Sequence, residues 1–192
     1  MSHFDFNAVQ QFWSGYNRYN DCGPLSYFAS ERPALDVFLE RFLDTFSPGV
    51  DSSSGHCGAL RAAAKTRMFS PMISSAFEAV SLAYFGSSAR NPRIQALGIR
   101  RYTPVLRTLQ VALRDPEQSR AVSTLITVMI LLIFEAIERT SQEGAVAHLL
   151  GMARLLHYRG AENHMYGAEH LVFAELRQHW VSFPSILLAR GK

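Results

Sequence analysis

Glu135 ends a charge-free apolar stretch, residues 121–134, and a carboxylate placed beside a core must be paired or solvated. A partner of suitable chemistry follows in His148, which opens the inward face of the next helical pattern, so Glu135 and His148 read as a structural pair joining two helix ends. A carboxylate and an imidazole could also serve as acid and base. That chemistry needs a second carboxylate or a nucleophile at a telling spacing, and none accompanies them. The chain has seven histidines (3, 56, 148, 157, 164, 170 and 179), yet no H-E-x-x-H or similar helical pair. His148 and His157 fall on opposite faces of one helix, so a metal site is not expected. G-x-S-x-G, the P-loop and G-x-G-x-x-G are all absent, and no catalytic residue or cofactor is assigned.

Arg93, Arg100, Arg107 and Arg114 recur every seven residues, which keeps them on one face of a predicted helix with a drift of about 20° per heptad. The plain reading is the solvated side of an amphipathic helix, since the stripe lies opposite the Leu/Ile face. The sharper one is a contact for an acidic partner or a nucleic-acid backbone, because arginine forks match carboxylate and phosphate geometry. No stacking aromatics or DNA-reading motif accompany the stripe. It nevertheless sits where the charge is concentrated: residues 61–120 hold ten basic and three acidic groups, against three and seven in residues 1–60.

The elements that must position these residues are helical. A chain of 192 residues, 48% apolar and 18% charged, fits one domain able to bury a substantial core. Strand-type alternation and hairpin turns are missing. Pro33 suits a first helical turn, and Leu35, Phe38, Phe42, Leu43 and Phe46 follow at helical spacing before Ser47-Pro48-Gly49. Residues 47–60, rich in Ser and Gly, read as a loop. Ser70-Pro71 starts a second helix that Gly86 closes, with Ile73, Ala76, Phe77, Val80 and Tyr84 on one face. A third covers about 92–114, with Ile94, Leu97, Val105, Leu106, Leu109 and Leu113 inward and a kink at Pro104. Further helices are predicted at about 120–139, with Leu132 in its core, at 143–158 with Gly160 as a left-handed C-cap, and at 166–182. The expectation is an all-α array of about six packed antiparallel helices, residues 34–192, preceded by an aromatic-rich segment, residues 1–33, whose Phe12, Trp13, Tyr16 and Tyr19 read first as packing onto the core and second as a recognition or activation segment.

Cys22 and Cys57 read as free thiols. No secretory signal opens the chain and its longest uncharged helix is short of a bilayer span, so an intracellular protein without membrane attachment is expected.

Residues 124–135 and 148–160 together form a charge-free helix ending in Phe134-Glu135, a short polar break, and then H-L-L-G-M-A-R-L-L-H-Y-R-G. This resembles the middle regulatory region of fungal zinc-cluster transcription factors, where a leucine-rich helix ends in Tyr-Glu or Phe-Glu and the next helix reads H-x-x-G, a leucine pair, then Arg-Gly. The resemblance extends over roughly residues 34–185. It takes in S-P-M-I-S-S-A-F-E-A-V-S-L-A-Y-F-G at residues 70–86, and Tyr102, Leu106, Leu109, Ala112, Leu113, Asp115 and Pro116. Pro104 and Val105 depart from the family's usual alanine and leucine, and Ala145 stands where a tryptophan is common. Family members normally begin with six cysteines that bind two zinc ions and read DNA, which two cysteines cannot reproduce.

The resemblance therefore implies the N-terminal half of a regulatory domain, in a nuclear, non-enzymatic, transcription-regulator-like protein. It would act through protein partners, either the transcription machinery or a DNA-binding regulator, with a homodimer also open. Specific DNA binding by this chain alone is not expected. The alternative is a stand-alone helical scaffold or small-ligand-binding protein without a role in transcription.

Overall fold

The computed structural model describes residues 31–47, 58–140 and 144–181. Among them the secondary structure is entirely helical: α1 (Glu31–Phe46), α2 (Gly58–Thr66), α3 (Pro71–Ser88), α4 (Pro92–Arg114), α5 (Pro116–Arg120), α6 (Val122–Glu138), α7 (Gly144–Arg159) and α8 (Gly167–Val181). Single 3-10 turns, Arg67–Phe69 and Ala161–His164, join α2 to α3 and α7 to α8. The all-α expectation holds, with eight α-helices among the described residues.

Three of these helices begin by one rule. A short polar side chain caps the free N–H groups and proline takes the first helical position, where its missing N–H costs nothing. Ser70 accepts from the Ile73 amide ahead of α3, Asn91 from Arg93 and Ile94 ahead of α4, and Asp115 from Glu117 and Gln118 ahead of α5.

Helix α6 is the axis of the fold. Residues 124–131 and 133–135 are buried, so nearly its whole circumference is covered, as an all-round apolar helix requires. It packs on α3 and α7 and, less extensively, on α4 and α8. Phe42, Leu60, Phe77, Met152 and Leu176 complete one core with it. Helices α3 and α4 make the closest pairing. A Cβ on Gly98 would lie 2.6 Å from the Ala83 amide nitrogen and 2.9 Å from the Ala79 carbonyl oxygen, so only a hydrogen at Gly98 lets the two backbones meet.

Several expectations are corrected. Helix α2 overlaps the end of the expected loop; its alanines favour helix, and Ala59, Leu60, Ala63 and Ala64 are buried. Gly86 does not close α3, which runs to Ser88; it lies against the Gln95 backbone of α4. The helix expected at about 120–139 starts at Val122, after the separate turn of α5. Leu97 and Leu113 are exposed, and the inward face of α4 is instead Gly98, Tyr102, Val105, Leu109 and Ala112. Pro104 does lie inside α4, as expected, on its exposed side. Leu132 is only partly buried, whereas its neighbours Leu131 and Ile133 are core. Gly160 has φ 82° and ψ 154°, a positive φ outside the left-handed helical well. The aromatic segment through residue 30, residues 48–57 of the expected loop, Cys22, Cys57, Glu143 and the chain after Val181 lie outside the described residues.

Candidate functional site

A cluster of polar side chains lies where α4, α6 and the start of α7 meet. The apolar run of α6 ends at Glu135, which is 2% exposed, and a carboxylate at that depth needs several donors. It has them. The Tyr102 hydroxyl of α4 donates to Oε1 at 2.5 Å, the Thr140 hydroxyl donates to the same oxygen at 2.6 Å, and the Thr140 amide donates to Oε2 at 3.1 Å. His148 Nε2 lies 2.8 Å from the Tyr102 hydroxyl oxygen. Since the single phenolic proton goes to Glu135, Nε2 must carry hydrogen and donate to that oxygen, which fixes the tautomer.

The structure thus brings Glu135 and His148 together on Tyr102, a residue assigned no site role from sequence. Burial is the main reason that the Tyr102 hydroxyl is pushed far above its ordinary range, with its bond to Glu135 and the nearby carboxylate charge adding to the shift. Burial lowers the His148 imidazole, opposed by the charge of Glu135. At neutral pH the phenol keeps its proton and the imidazole is uncharged. The Tyr102 ring stacks on Phe134, with centroids 4.2 Å apart and planes 4° from parallel, so the hydroxyl is aimed by packing as well as by bonding.

The N-terminus of α7 closes the arrangement from above. A Cβ on Gly144 would lie 2.7 Å from the Glu135 carboxyl carbon, so this glycine allows the positive end of the helix to rest on the carboxylate. One turn from Glu135, Glu138 accepts from the Gln95 side chain of α4 at 2.9 and 3.2 Å. Its pKa is raised, chiefly by burial and further by Glu135, with the Gln95 bond opposing.

Chemically this is a locked proton network. Tyr102 and Glu135 are buried, and their hydrogen-bonding groups are turned toward one another. Such an arrangement fixes three helices in register; it does not present a base to a substrate.

A second lock lies at the far end of α7. Arg159, 5% exposed, donates to the Arg120 carbonyl at the end of α5 and, at 2.6 Å, to Glu169 of α8. A buried guanidinium with a carboxylate and a helix-terminal carbonyl as partners ties α5, α7 and α8 together.

The four arginines of the stripe are all exposed on α4, with Leu97, Pro104 and Val111 exposed between them. No acidic residue occurs in α4. Its one ion pair among the described residues joins Arg101 to Glu78 of α3 at 3.9 Å, leaving Arg93, Arg100, Arg107 and Arg114 without one. Those described residues contain no cluster able to hold a metal ion and no helix long and apolar enough to cross a membrane.

Comparison with known families gives a match to the fungal specific transcription factor domain over residues 33–181. The chain belongs to this family. No curated protein and no solved structure matches it.

The transcription factor domain's motif positions now have physical roles. The Phe-Glu pair places Phe134 under the Tyr102 ring and Glu135 on its hydroxyl. The histidine of H-x-x-G is the third member of that network, and the arginine of Arg-Gly is the buried Arg159. Gly160 then supplies the positive φ that leads the chain out of α7. Gly151 has no described atom within 4 Å of an added Cβ, and nothing in the structure explains a glycine there.

Sequence reasoning left Tyr102, Thr140 and Glu169 out of the site. A signal for Tyr102 was available: it shares the inward face of α4 with Val105 and Leu109 at helical spacing, and a buried phenol needs a partner.

Proposed function

We propose that this fungal transcription factor domain works in the nucleus as a regulatory, non-catalytic module. It acts through protein contacts, with the outer face of α4 receiving an acidic partner. The observation that carries the reading is the charge pattern of that helix: four exposed arginines on one face, with no ion pair among the described residues and no acid within their own helix. Exposed Leu97 and Val111 add apolar contact between the charges, which suits the amphipathic surface of an acidic helix better than a bare polyanion. In this reading these 192 residues do not read DNA through a zinc cluster, because two cysteines cannot hold a six-cysteine, two-zinc cluster.

The test is a reporter assay with the chain tethered to an unrelated DNA-binding module in fungal nuclei. Replacing Arg93, Arg100, Arg107 and Arg114 with Glu should change reporter output at least about fivefold, at equal protein level and unchanged helical circular dichroism. Output that is the same for both proteins, or no effect of the tethered chain on the reporter, overturns the proposal.

A further inference from the structure

A cavity of about 740 Å³ opens beside the exit of α7 and lies within the size range of small-molecule sites. Leu156, Met165 and Phe173 supply apolar wall, and His157, His164 and His170 are its polar residues. No carboxylate, lysine or arginine lines it among the described residues.

His164 is the unusual member. It is 6% exposed, and neither ring nitrogen makes a hydrogen bond of normal geometry, although the Leu156 backbone lies close enough to favour its charged form. Its ring stacks on Phe173, with centroids 5.6 Å apart and planes 25° apart, so the two form a flat wall. A buried imidazole with so little hydrogen bonding gains from a further partner, which a hydroxyl entering the cavity can supply. The charged groups around it balance: Arg159 faces it but is paired with Glu169, and Glu162 adds one further carboxylate. Burial is the main cause holding its pKa below the usual value, so it offers a donor and an acceptor and no charge. At the rim, His170 engages the His164 carbonyl oxygen through Nδ1 at 3.1 Å, while His157 is exposed.

We propose that this cavity is a binding site for a small uncharged molecule with an aromatic body and a hydroxyl group. The flat wall of Phe173 and His164 and the thioether of Met165 take the ring system. His164 takes the hydroxyl. Anions and cations are disfavoured because no lysine, arginine or carboxylate among the described residues lines the wall to replace their hydration. The site is independent of the α4 contact, and either can fail without the other.

The probe is 2-naphthol, titrated into the full chain carrying methyl-labelled methionine and followed by NMR. The expected result is a saturable shift of the Met165 methyl resonance below about 1 mM, with 2-naphthoate and 2-naphthylmethylammonium binding about tenfold more weakly or worse. His164→Phe should erase the preference for 2-naphthol over naphthalene. Met165→Glu, at a residue 56% exposed and outside the core, should abolish binding of both. If His164→Phe fails to fold, the Met165→Glu comparison and the charge series decide the matter. No shift of Met165, equal binding of the naphthoate, or unchanged binding in Met165→Glu overturns the proposal.

Discussion

Glu135 and His148 are held by the same atom, the hydroxyl oxygen of Tyr102, at 2.5 and 2.8 Å. The helix that provides this oxygen is neither of the two that carry the pair. Packing of α4 on the bundle and closure of α7 over α6 therefore share one set of hydrogen bonds.

Tyr102→Phe keeps the stack on Phe134 and removes both hydrogen bonds. It leaves a 2%-exposed carboxylate with Thr140 as its remaining described donor, and should lower stability by about 2–3 kcal/mol in urea denaturation. A double-mutant cycle between Glu135→Ala and His148→Ala should show coupling of at least about 0.5 kcal/mol, which disappears in the Tyr102→Phe background. Coupling that survives there would mean that the two side chains act on each other without the phenol.

The legible parts of this fold were those with dense local signal. The apolar run of α6 and the cap-proline starts of α3 and α4 are written in consecutive residues. Helix α2 was missed because its buried face is largely alanine, which signals propensity without the large apolar spacing that marks a helix face. The site was half legible. Glu135 beside an apolar run announces its need for a partner, but Tyr102 lies 33 residues from it and 46 from His148, and nothing local fixes which helix face meets which. The burial of α4 shows the same limit. Gly98 is buried while Leu97 is exposed, because the close approach of two backbones, and not side-chain hydrophobicity, chooses the buried face.

Two glycine substitutions should have opposite signs. In a helix interior, glycine to alanine gains about 1 kcal/mol from backbone entropy where space allows. Gly151 of α7 has that space, so Gly151→Ala should raise the thermal midpoint. At Gly98 the new methyl meets the backbone of α3 at 2.6 Å, which cannot rotate away, and Gly98→Ala should lose about 2 kcal/mol or more. Stabilisation by Gly98→Ala would show that α3 and α4 are not packed this closely.

Glu175 of α8 should make stability fall as pH rises. Burial pushes its carboxyl up to about 7, opposed by a hydrogen bond from the Ala59 backbone at the start of α2, while Oε2 has no partner. An acid whose pKa is raised in the folded state keeps a proton that the unfolded chain releases. Stability from this group is therefore complete below the unfolded value of 4.5 and is lost as pH climbs to about 7. Glu175→Gln removes the loss, so its advantage over the parent should grow by an amount of order 2 kcal/mol between pH 4.5 and 8. His148 and His164, both with lowered pKa, act in the opposite direction below their ordinary value of 6.5, and they cancel in the difference between the two proteins. A difference that does not change with pH would mean that Glu175 is solvated.

The arginine face of α4 sets the last expectation, that the isolated chain binds DNA without telling one sequence from another. Reading a sequence requires side chains delivered to base edges by an element docked in a groove. Helix α4 is committed along its inner face to α3, and its exposed arginines fall in a single line along that one helix. Phosphate contacts from four arginines release counterions, so any affinity should drop steeply with salt, with a logarithmic slope no steeper than about −4. Fluorescence anisotropy with random and promoter duplexes should show weak binding, equal for all of them, that vanishes near physiological salt and in the four-arginine variant. A duplex preferred at submicromolar concentration in that variant would locate a DNA-reading surface elsewhere on the chain. The α4 face would then remain a protein contact only, since none of the affinity would have passed through its arginines.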